Sequence, residues 1–274
     1  MPAAHGPVSG RIWLPASKSI TNRALVLAAL SHRPARIANP LRARDTLLAA
    51  AALRAMGTEV ADGPGEATVS TSGWLVTAGQ PPAGSRVSVD VGNAGTVLRF
   101  LPAVAALTSA EVHFDGDARA RQRPVGPILA ALRDLGARID DDGRAAAPFT
   151  VLGQGRVRGG GVTLDASGSS QLISGLLLAA PRFDEGIEIR HEGPPVPSVP
   201  HIAMTVRMLR AAGAEGTGGP SCRTSRPASN RGATSNSPET SCEDAEASSS
   251  TEPPRTAPRP CTVNGTAPRP PSSI

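Results

Sequence analysis

Three stretches of this chain end alike. Residues 47–57, 128–136 and 202–213 each carry apolar side chains at helical spacing and each stop at a glycine suited to a left-handed C-cap. The three glycines lie 79 and 77 residues apart. Each stretch is preceded by another helix candidate, at 22–30, 96–107 and 170–180, with starts spaced by 74 and 74. A fixed period constrains a fold more than local propensity does, because each copy must bury its apolar face on its neighbours. Strands alternate with the helices. Val87, Val89 and Val91 alternate with polar residues, as do Val112 and Phe114, Val162 and Leu164, and Ile187 and Ile189. The repeating unit is a strand, a helix, a strand, a helix and a hairpin, an α/β (α+β) pattern. The units span about 14–85, 86–160 and 161–215. Packed three-fold, they place helices inside and sheets outside. Pro102 is expected in the first turns of its helix, or as a kink.

The run Leu14-Pro15-Ala16-Ser17-Lys18-Ser19-Ile20-Thr21-Asn22-Arg23 reads as a strand end, a turn and a helix start. Hydroxyls, an amide, a Lys and an Arg crowd the point where a helix leaves free N–H groups, which makes an anion site. Of the 28 basic residues, Lys18 is the one lysine. An ammonium and a guanidinium are not interchangeable at a tight anion contact, so a lone Lys in such a turn points to chemistry and not to solvation. The other units offer comparable turns: Gly92-Asn93-Ala94-Gly95-Thr96 and Ser167-Gly168-Ser169-Ser170-Gln171. One such turn alone would be an ordinary N-cap. Three in matching register predict converging helix N-termini and a shared electropositive floor. Arg119, Arg121 and Arg123 add a second cationic cluster, of which Arg123 is the ligand candidate because Pro124 fixes the backbone beside it. The next helix begins near Pro127. In the third unit, Ser198 either caps the last helix or touches a ligand. His191 and His201 lack partners at metal spacing, so zinc is not expected.

Composition excludes several classes. The net charge is +5, but the chain has no Tyr, four Phe and two Trp, so base-stacking platforms are poorly supported. The basic excess suits small anionic ligands, not nucleic acid. No run of about 18 apolar residues and no leader-like segment occurs, so a cytoplasmic protein without membrane contact is expected. Cys222, Cys242 and Cys261 all follow residue 215. A cysteine-free body fits a reduced compartment and a fold held by packing.

Residues 216–274 hold no Leu, Met, Phe or Trp, with Val263 and Ile274 the only large aliphatics. Such a segment buries too little apolar surface to offset its ordering entropy, so a disordered tail is expected from 216 onward. The third repeat stops mid-unit at the same place. A natural appendage and a frameshifted continuation are the two readings, and the coincidence of the two breaks favours the second.

Read together, the run 14–24, Gly92-Asn93-Ala94-Gly95-Thr96-Val97-Leu98-Arg99, Arg123-Pro124-Val125-Gly126 and Gly168-Ser169-Ser170-Gln171 closely resemble the 3-phosphoshikimate 1-carboxyvinyltransferase (EPSP synthase) family. The resemblance covers about residues 10 to 215. A sister family acting on UDP-N-acetylglucosamine typically has Lys-Asn where this chain has Lys18-Ser19. The resemblance implies an inside-out barrel fold of two domains, each of three βαβαββ units, of which this chain holds nearly one. It implies transfer of an enolpyruvyl group from phosphoenolpyruvate to the 5-hydroxyl of shikimate 3-phosphate, with no metal or organic cofactor, in proteins that are usually monomeric. By motif position, Lys18 contacts both substrates and is the catalytic residue. Ser19 and Arg23 hold the shikimate phosphate or its hydroxyls. Gly95, Arg123 and Gln171 hold phosphoenolpyruvate, and Ser169, Ser170, Gln171 and Ser198 line the shikimate phosphate site. His201 stands where many relatives carry Tyr and receives no role. The family's acidic residues for proton transfer lie in the second domain. The chain alone is therefore expected to bind shikimate 3-phosphate weakly without turnover. A non-catalytic binding module and one half of a split enzyme remain the alternatives.

Overall fold

Three copies of one unit supply the partners that each apolar helix face and each alternating strand require. The computed structural model describes residues 16–63, 73–217 and 221–225. Unit one contains α1 (Lys18–Ala29), β1 (Ala35–Ile37), α2 (Arg44–Ala55), β2 (Glu59–Gly63) and β3 (Gly73–Thr77). Unit two contains β4 (Arg86–Asp90), α3 (Gly95–Ala106), β5 (Glu111–Asp115), α4 (Gly126–Asp134), β6 (Arg138–Asp140) and β7 (Phe149–Leu152). Unit three contains β8 (Gly160–Leu164), α5 (Ser170–Ala179), β9 (Ile187–His191), α6 (Pro200–Ala211), β10 (Glu215–Thr217) and β11 (Ser221–Ser225). The strand expected at the front of unit one lies outside the described residues.

The sheets repeat one topology. Unit two orders its strands β4-β5-β7-β6, and unit three orders them β8-β9-β11-β10. Unit one shows the matching β1-β3-β2. β4 and β5 are parallel, as are β8 and β9, and each pair is joined through a helix, which parallel neighbours need. The other pairings are antiparallel.

The glycines that announced the repeat act identically in all three units. Gly57, Gly136 and Gly213 have φ of 87°, 98° and 86°. After each, the next N–H reaches back five residues: Thr58 to the Leu53 carbonyl at 3.0 Å, Ala137 to Leu132 at 2.8 Å and Ala214 to Leu209 at 3.0 Å. This is the Schellman closure, and its left-handed residue favours glycine.

Burial separates two rings of helices. α3 is buried at all twelve positions and α5 at nine of ten, whereas α2 and α6 bury five and four of twelve. α1, α3 and α5 touch one another at the centre. Each outer helix wedges between two of them: α2 between α1 and α3, α4 between α3 and α5, and α6 between α5 and α1. The sheets lie outside this ring, with one face inward, as the alternating burial of β4 and β5 shows. There are three separate sheets and no closed barrel among the described residues.

Two expectations change. Pro102 lies in the third turn of an unbroken α3, not in its first turns. α3 and α5 approach closely at Arg99: a Cβ at Gly175 of α5 would overlap the Arg99 carbonyl oxygen, so the two helix backbones touch there. The second change concerns the tail. Residues 215–217 and 221–225 form β10 and β11, and β11 pairs with β9 so that Cys222 faces Ile189 and Thr224 faces Ile187 in register. The third unit therefore completes its hairpin. Composition misled because a strand laid on an existing sheet edge is held by backbone hydrogen bonds, which ask little of the side chains. The rest of the expected disordered tail, 226–274, lies outside the described residues.

Candidate functional site

A helix N-terminus becomes an anion site when its first N–H groups are not consumed by a capping side chain. Ser17 precedes α1 in extended backbone but makes no side-chain cap bond, and Ala94 before α3 has no side chain able to cap. Only α5 is capped among these three, where Ser169 accepts from the Gln171 N–H at 3.2 Å. The ordinary-cap reading holds for unit three and fails for units one and two.

Side-chain bonds tie the three N-termini together. Asn22 Nδ2 donates to Thr96 Oγ1 at 2.7 Å, joining α1 to α3. Arg99 Nη1 donates to Gln171 Oε1 at 3.0 Å, joining α3 to α5. Arg23 Nη2 donates to Ser174 Oγ at 3.1 Å, joining α1 to α5. The N-terminal turns of α1, α3 and α5, remote along the chain, therefore share one end of the domain.

Gly95 sits at the focus of that end. A Cβ there would stand 2.9 Å from Arg123 Nη1, 3.1 Å from Arg99 Nη1 and 3.4 Å from Gln171 Oε1. Gly95, Arg123 and Gln171, all expected at the site, are thus brought together. Arg123 is aimed by Asn93, whose Oδ1 accepts from its Nε at 3.0 Å. Arg99 had no assigned role in the sequence. Its Nε and Nη2 hold the Pro124 carbonyl, which anchors the Arg123–Pro124 turn over α3. Burial lowers the Arg99 pKa below that of a free guanidinium, and the neighbouring Arg123 charge lowers it further. Two cations side by side, both held by neutral oxygens, leave positive charge available to a ligand.

Lys18 opens α1 with its side chain half exposed, and its Nζ donates to Asp45 Oδ2 at 2.8 Å. Asp45 belongs to the first turn of α2. The sequence carried one usable signal for it, a lone lysine in need of a counter-ion. Lys18 and Asn22 are four residues apart and share a helix face, so Lys18 stands one turn beyond the α1–α3 bond. Ser19 and Arg23 share the adjacent face.

Arg23 is placed differently from the expectation. It is 1% exposed and turned inward. Its Nε donates to Thr205 Oγ1 at 2.7 Å, its Nη1 to the Ser19 carbonyl at 3.0 Å and its Nη2 to Ser174 Oγ and the His201 carbonyl. The guanidinium also lies 5.2 Å from the Phe100 ring centroid. Burial pushes its pKa down to about 10. No described carboxylate pairs with it; the inward turn follows from a ring of hydroxyls and carbonyls that satisfies a guanidinium without one.

Ser170 is buried at 3%. Ser198 is exposed, with φ 55°, in the loop before α6. It does not cap α6 by its side chain, since the cap position is Val199; its carbonyl accepts the His201 N–H at 2.9 Å. Arg121 is drawn away from Arg123 into a bidentate pair with Asp115, at 2.9 and 2.7 Å. Among the described residues no group of His, Cys, Asp or Glu could hold a metal ion, and no helix is long and apolar enough to cross a membrane.

The sequence and the fold both match known proteins. Residues 2–226 match the family model described as EPSP synthase (3-phosphoshikimate 1-carboxyvinyltransferase). A curated 3-phosphoshikimate 1-carboxyvinyltransferase from Kocuria rhizophila is 50% identical over 217 residues, which is 78% of this chain and 49% of that protein. The solved EPSP synthase of Acinetobacter baumannii superposes with a TM-score of 0.64 at 25% identity, over 79% of this chain and 47% of that one. The enolpyruvyl transferase NikO from Streptomyces tendae shares the fold, with a TM-score of 0.53 at 16% identity over 81% of this chain and 51% of its own. This chain spans about half the length of each.

Proposed function

The chain belongs to the EPSP synthase (3-phosphoshikimate 1-carboxyvinyltransferase) family, and from that premise we propose that its convergent helix N-termini bind shikimate 3-phosphate beside phosphoenolpyruvate. The reaction served is transfer of the enolpyruvyl group to the 5-hydroxyl, with release of phosphate. The domain proposed to do this runs from the first repeat to the end of β11.

One observation carries the reading: Gly95, Arg99, Arg123 and Gln171 meet at the uncapped start of α3, which Asn22 ties to α1. Both substrates are anions, so their approach is opposed by mutual repulsion until fixed cations offset it. Arg123 and Arg99 are assigned to phosphoenolpyruvate, with Gly95 leaving room for it. Lys18 is assigned to the space between the two substrates. Ser169, Ser170 and Ser198 are assigned to the shikimate phosphate, and Ser19 to its hydroxyls. The 5-hydroxyl gives its proton to a protein base as its oxygen bonds C2 of phosphoenolpyruvate, while the methylene carbon takes a proton from a protein acid. The resulting tetrahedral adduct then loses phosphate, and one methyl proton returns to the protein. The proton carriers are proposed to come from the part of the relatives that this chain does not span, which makes ligand binding the property to test here. The place of action is proposed to be the cytoplasm, in keeping with a matched region whose first 215 residues hold no cysteine.

Calorimetric titration of shikimate 3-phosphate into the 274-residue chain tests this. Saturable binding that is lost in Lys18→Ala is expected. Phosphate release from both substrates is expected only after addition of a separately produced second half of a relative. A folded chain that takes up no shikimate 3-phosphate at millimolar concentration overturns the reading.

A further inference from the structure

The Lys18-Ser19 turn and the Ser198–His201 turn belong to the first and third units, yet one buried side chain spans them. Arg23 Nη1 holds the Ser19 carbonyl in the first turn of α1 at 3.0 Å, while its Nη2 reaches the His201 carbonyl in the first turn of α6 at 3.4 Å. What fixes Arg23 is a pair of hydroxyls. Thr205 Oγ1 accepts from Nε at 2.7 Å, and Ser174 Oγ accepts from Nη2 at 3.1 Å. Thr205 shares its own proton between Ser174 Oγ at 3.1 Å and the His201 carbonyl at 2.9 Å. Both hydroxyl residues are 0% exposed.

We propose that Thr205 and Ser174 are positioning residues: by locking the Arg23 guanidinium, they hold the Lys18-Ser19 turn and the Ser198–His201 turn in one fixed relation across the seam between units one and three. This deepens the binding reading above and rests on it for its consequence on ligand. A guanidinium presents five donors in a rigid plane, so fixing two of its nitrogens aims the remainder. Here Nη1 meets the Ser19 carbonyl and Nη2, beside its bond to Ser174, meets the His201 carbonyl, in the first turns of two different helices. A cation with no described carboxylate partner has no charge pair to centre it, so neutral acceptors alone decide where it sits. Unlocked, Arg23 would release the first turn of α1 from the first turn of α6. The groups expected to share one phosphorylated ligand, Ser19 and Ser198, would then lose their common frame.

The test compares Thr205→Val, which keeps the shape and removes the hydroxyl, with Thr205→Ser, which keeps the hydroxyl, and adds Ser174→Ala. The first readout uses the ligand-free chain. The Arg23 Nε–H resonance is expected to be protected from exchange in the wild type and in Thr205→Ser. It is expected to broaden in Thr205→Val, together with shifts of the backbone amides of Lys18, Ser19 and His201. The second readout is shikimate 3-phosphate affinity at a temperature where circular dichroism reports each variant folded. Thr205→Val and Ser174→Ala are expected to bind roughly tenfold more weakly, the scale of one lost hydrogen bond to a charged group, with Thr205→Ser restored. A Thr205→Val chain that is less stable but leaves the three amides and the affinity unchanged overturns the proposal, because a purely structural hydroxyl would behave so. If Thr205→Val does not fold, the same comparison of Ser174→Ala with the wild type decides it. A wild-type chain that binds no shikimate 3-phosphate overturns the functional reading instead, and the amide shifts still decide the positioning role.

Discussion

Asn22 in the second turn of α1 and Thr96 in the first turn of α3 bond directly, the amide of one donating to the hydroxyl of the other at 2.7 Å inside the helix ring. Ser170, which opens α5, is buried as well, at 3%. Buried polar side chains therefore gather where the N-terminal turns of α1, α3 and α5 meet. Asn22 Oδ1 is the one buried side-chain oxygen or nitrogen without a partner among the described residues. Helix N-termini gathered at one end need polar company, and this cluster provides it at the cost of an exacting fit.

Removing the hydroxyl of Thr96 should expose that cost. Thr96→Val leaves the Asn22 amide group buried with neither end satisfied. The expected loss is about 1–3 kcal/mol of unfolding free energy. Urea denaturation, with the slope unchanged and the midpoint lowered, checks it. The double variant Asn22→Leu/Thr96→Val should recover part of the loss, since no polar group is then stranded.

Lys18 separates function from stability. Its pair with Asp45 is half exposed, so Lys18→Ala should change stability by less than about 1 kcal/mol. Ligand affinity should fall far more, by roughly a hundredfold if the ammonium touches both anions. Lys18→Arg should fail to restore it, because a planar fork does not replace a compact ammonium. Parallel melting curves and shikimate 3-phosphate titrations read the two effects apart.

Two glycines invite opposite outcomes from one substitution. At Gly95 the added methyl meets the far ends of Arg123, Arg99 and Gln171, which can swing aside. Gly95→Ala should therefore leave the melting temperature nearly unchanged while weakening phosphoenolpyruvate more than shikimate 3-phosphate. At Gly175 the methyl meets the Arg99 carbonyl, which belongs to the α3 backbone and cannot swing. Gly175→Ala should cost about 1–3 kcal/mol by overpacking, with α3 and α5 pushed apart. Equal melting temperatures for the two variants would contradict backbone contact between α3 and α5 at Gly175.

Acid should weaken the outer sheets before the helical centre. The hydrogen bond from Arg121 holds the Asp115 carboxyl below its ordinary value, and the bond from Arg42 does the same for Asp62. A carboxyl with a depressed folded pKa contributes stability that is present above its unfolded value, about 3.9, and is lost as the pH falls through the folded value. The stability contribution of Asp115 should thus be intact at about pH 5 and fade below about pH 4. Asp115→Asn should flatten that part of the profile, measured as urea midpoints across the acid range.

Much of this molecule could be read along the chain. The glycine stops at 57, 136 and 213 announced three identical helix endings, because a left-handed residue closing a helix is a local demand that glycine meets by itself. Alternating valines announced β4, and the motif turns marked the starts of α1, α3 and α5. Arg99, Ser174 and Thr205 were invisible as site supports, since an isolated Arg in an apolar helix or a hydroxyl amid aliphatics carries no signal until its neighbour across the ring is known. The strands at 215–217 and 221–225 were missed for a related reason: polar composition speaks against a core, and a strand borrowed by a neighbouring sheet edge needs none.

The sequence alone determined the period, the helix ends and which turns could hold an anion, because capping, alternation and glycine conformation act within a few residues. Only the tertiary structure decided that Arg23 turns inward while Arg123 and Arg99 crowd Gly95. That choice depends on where hydroxyls and carbonyls from other units stand, and a guanidinium settles toward whichever oxygens the packed helices present.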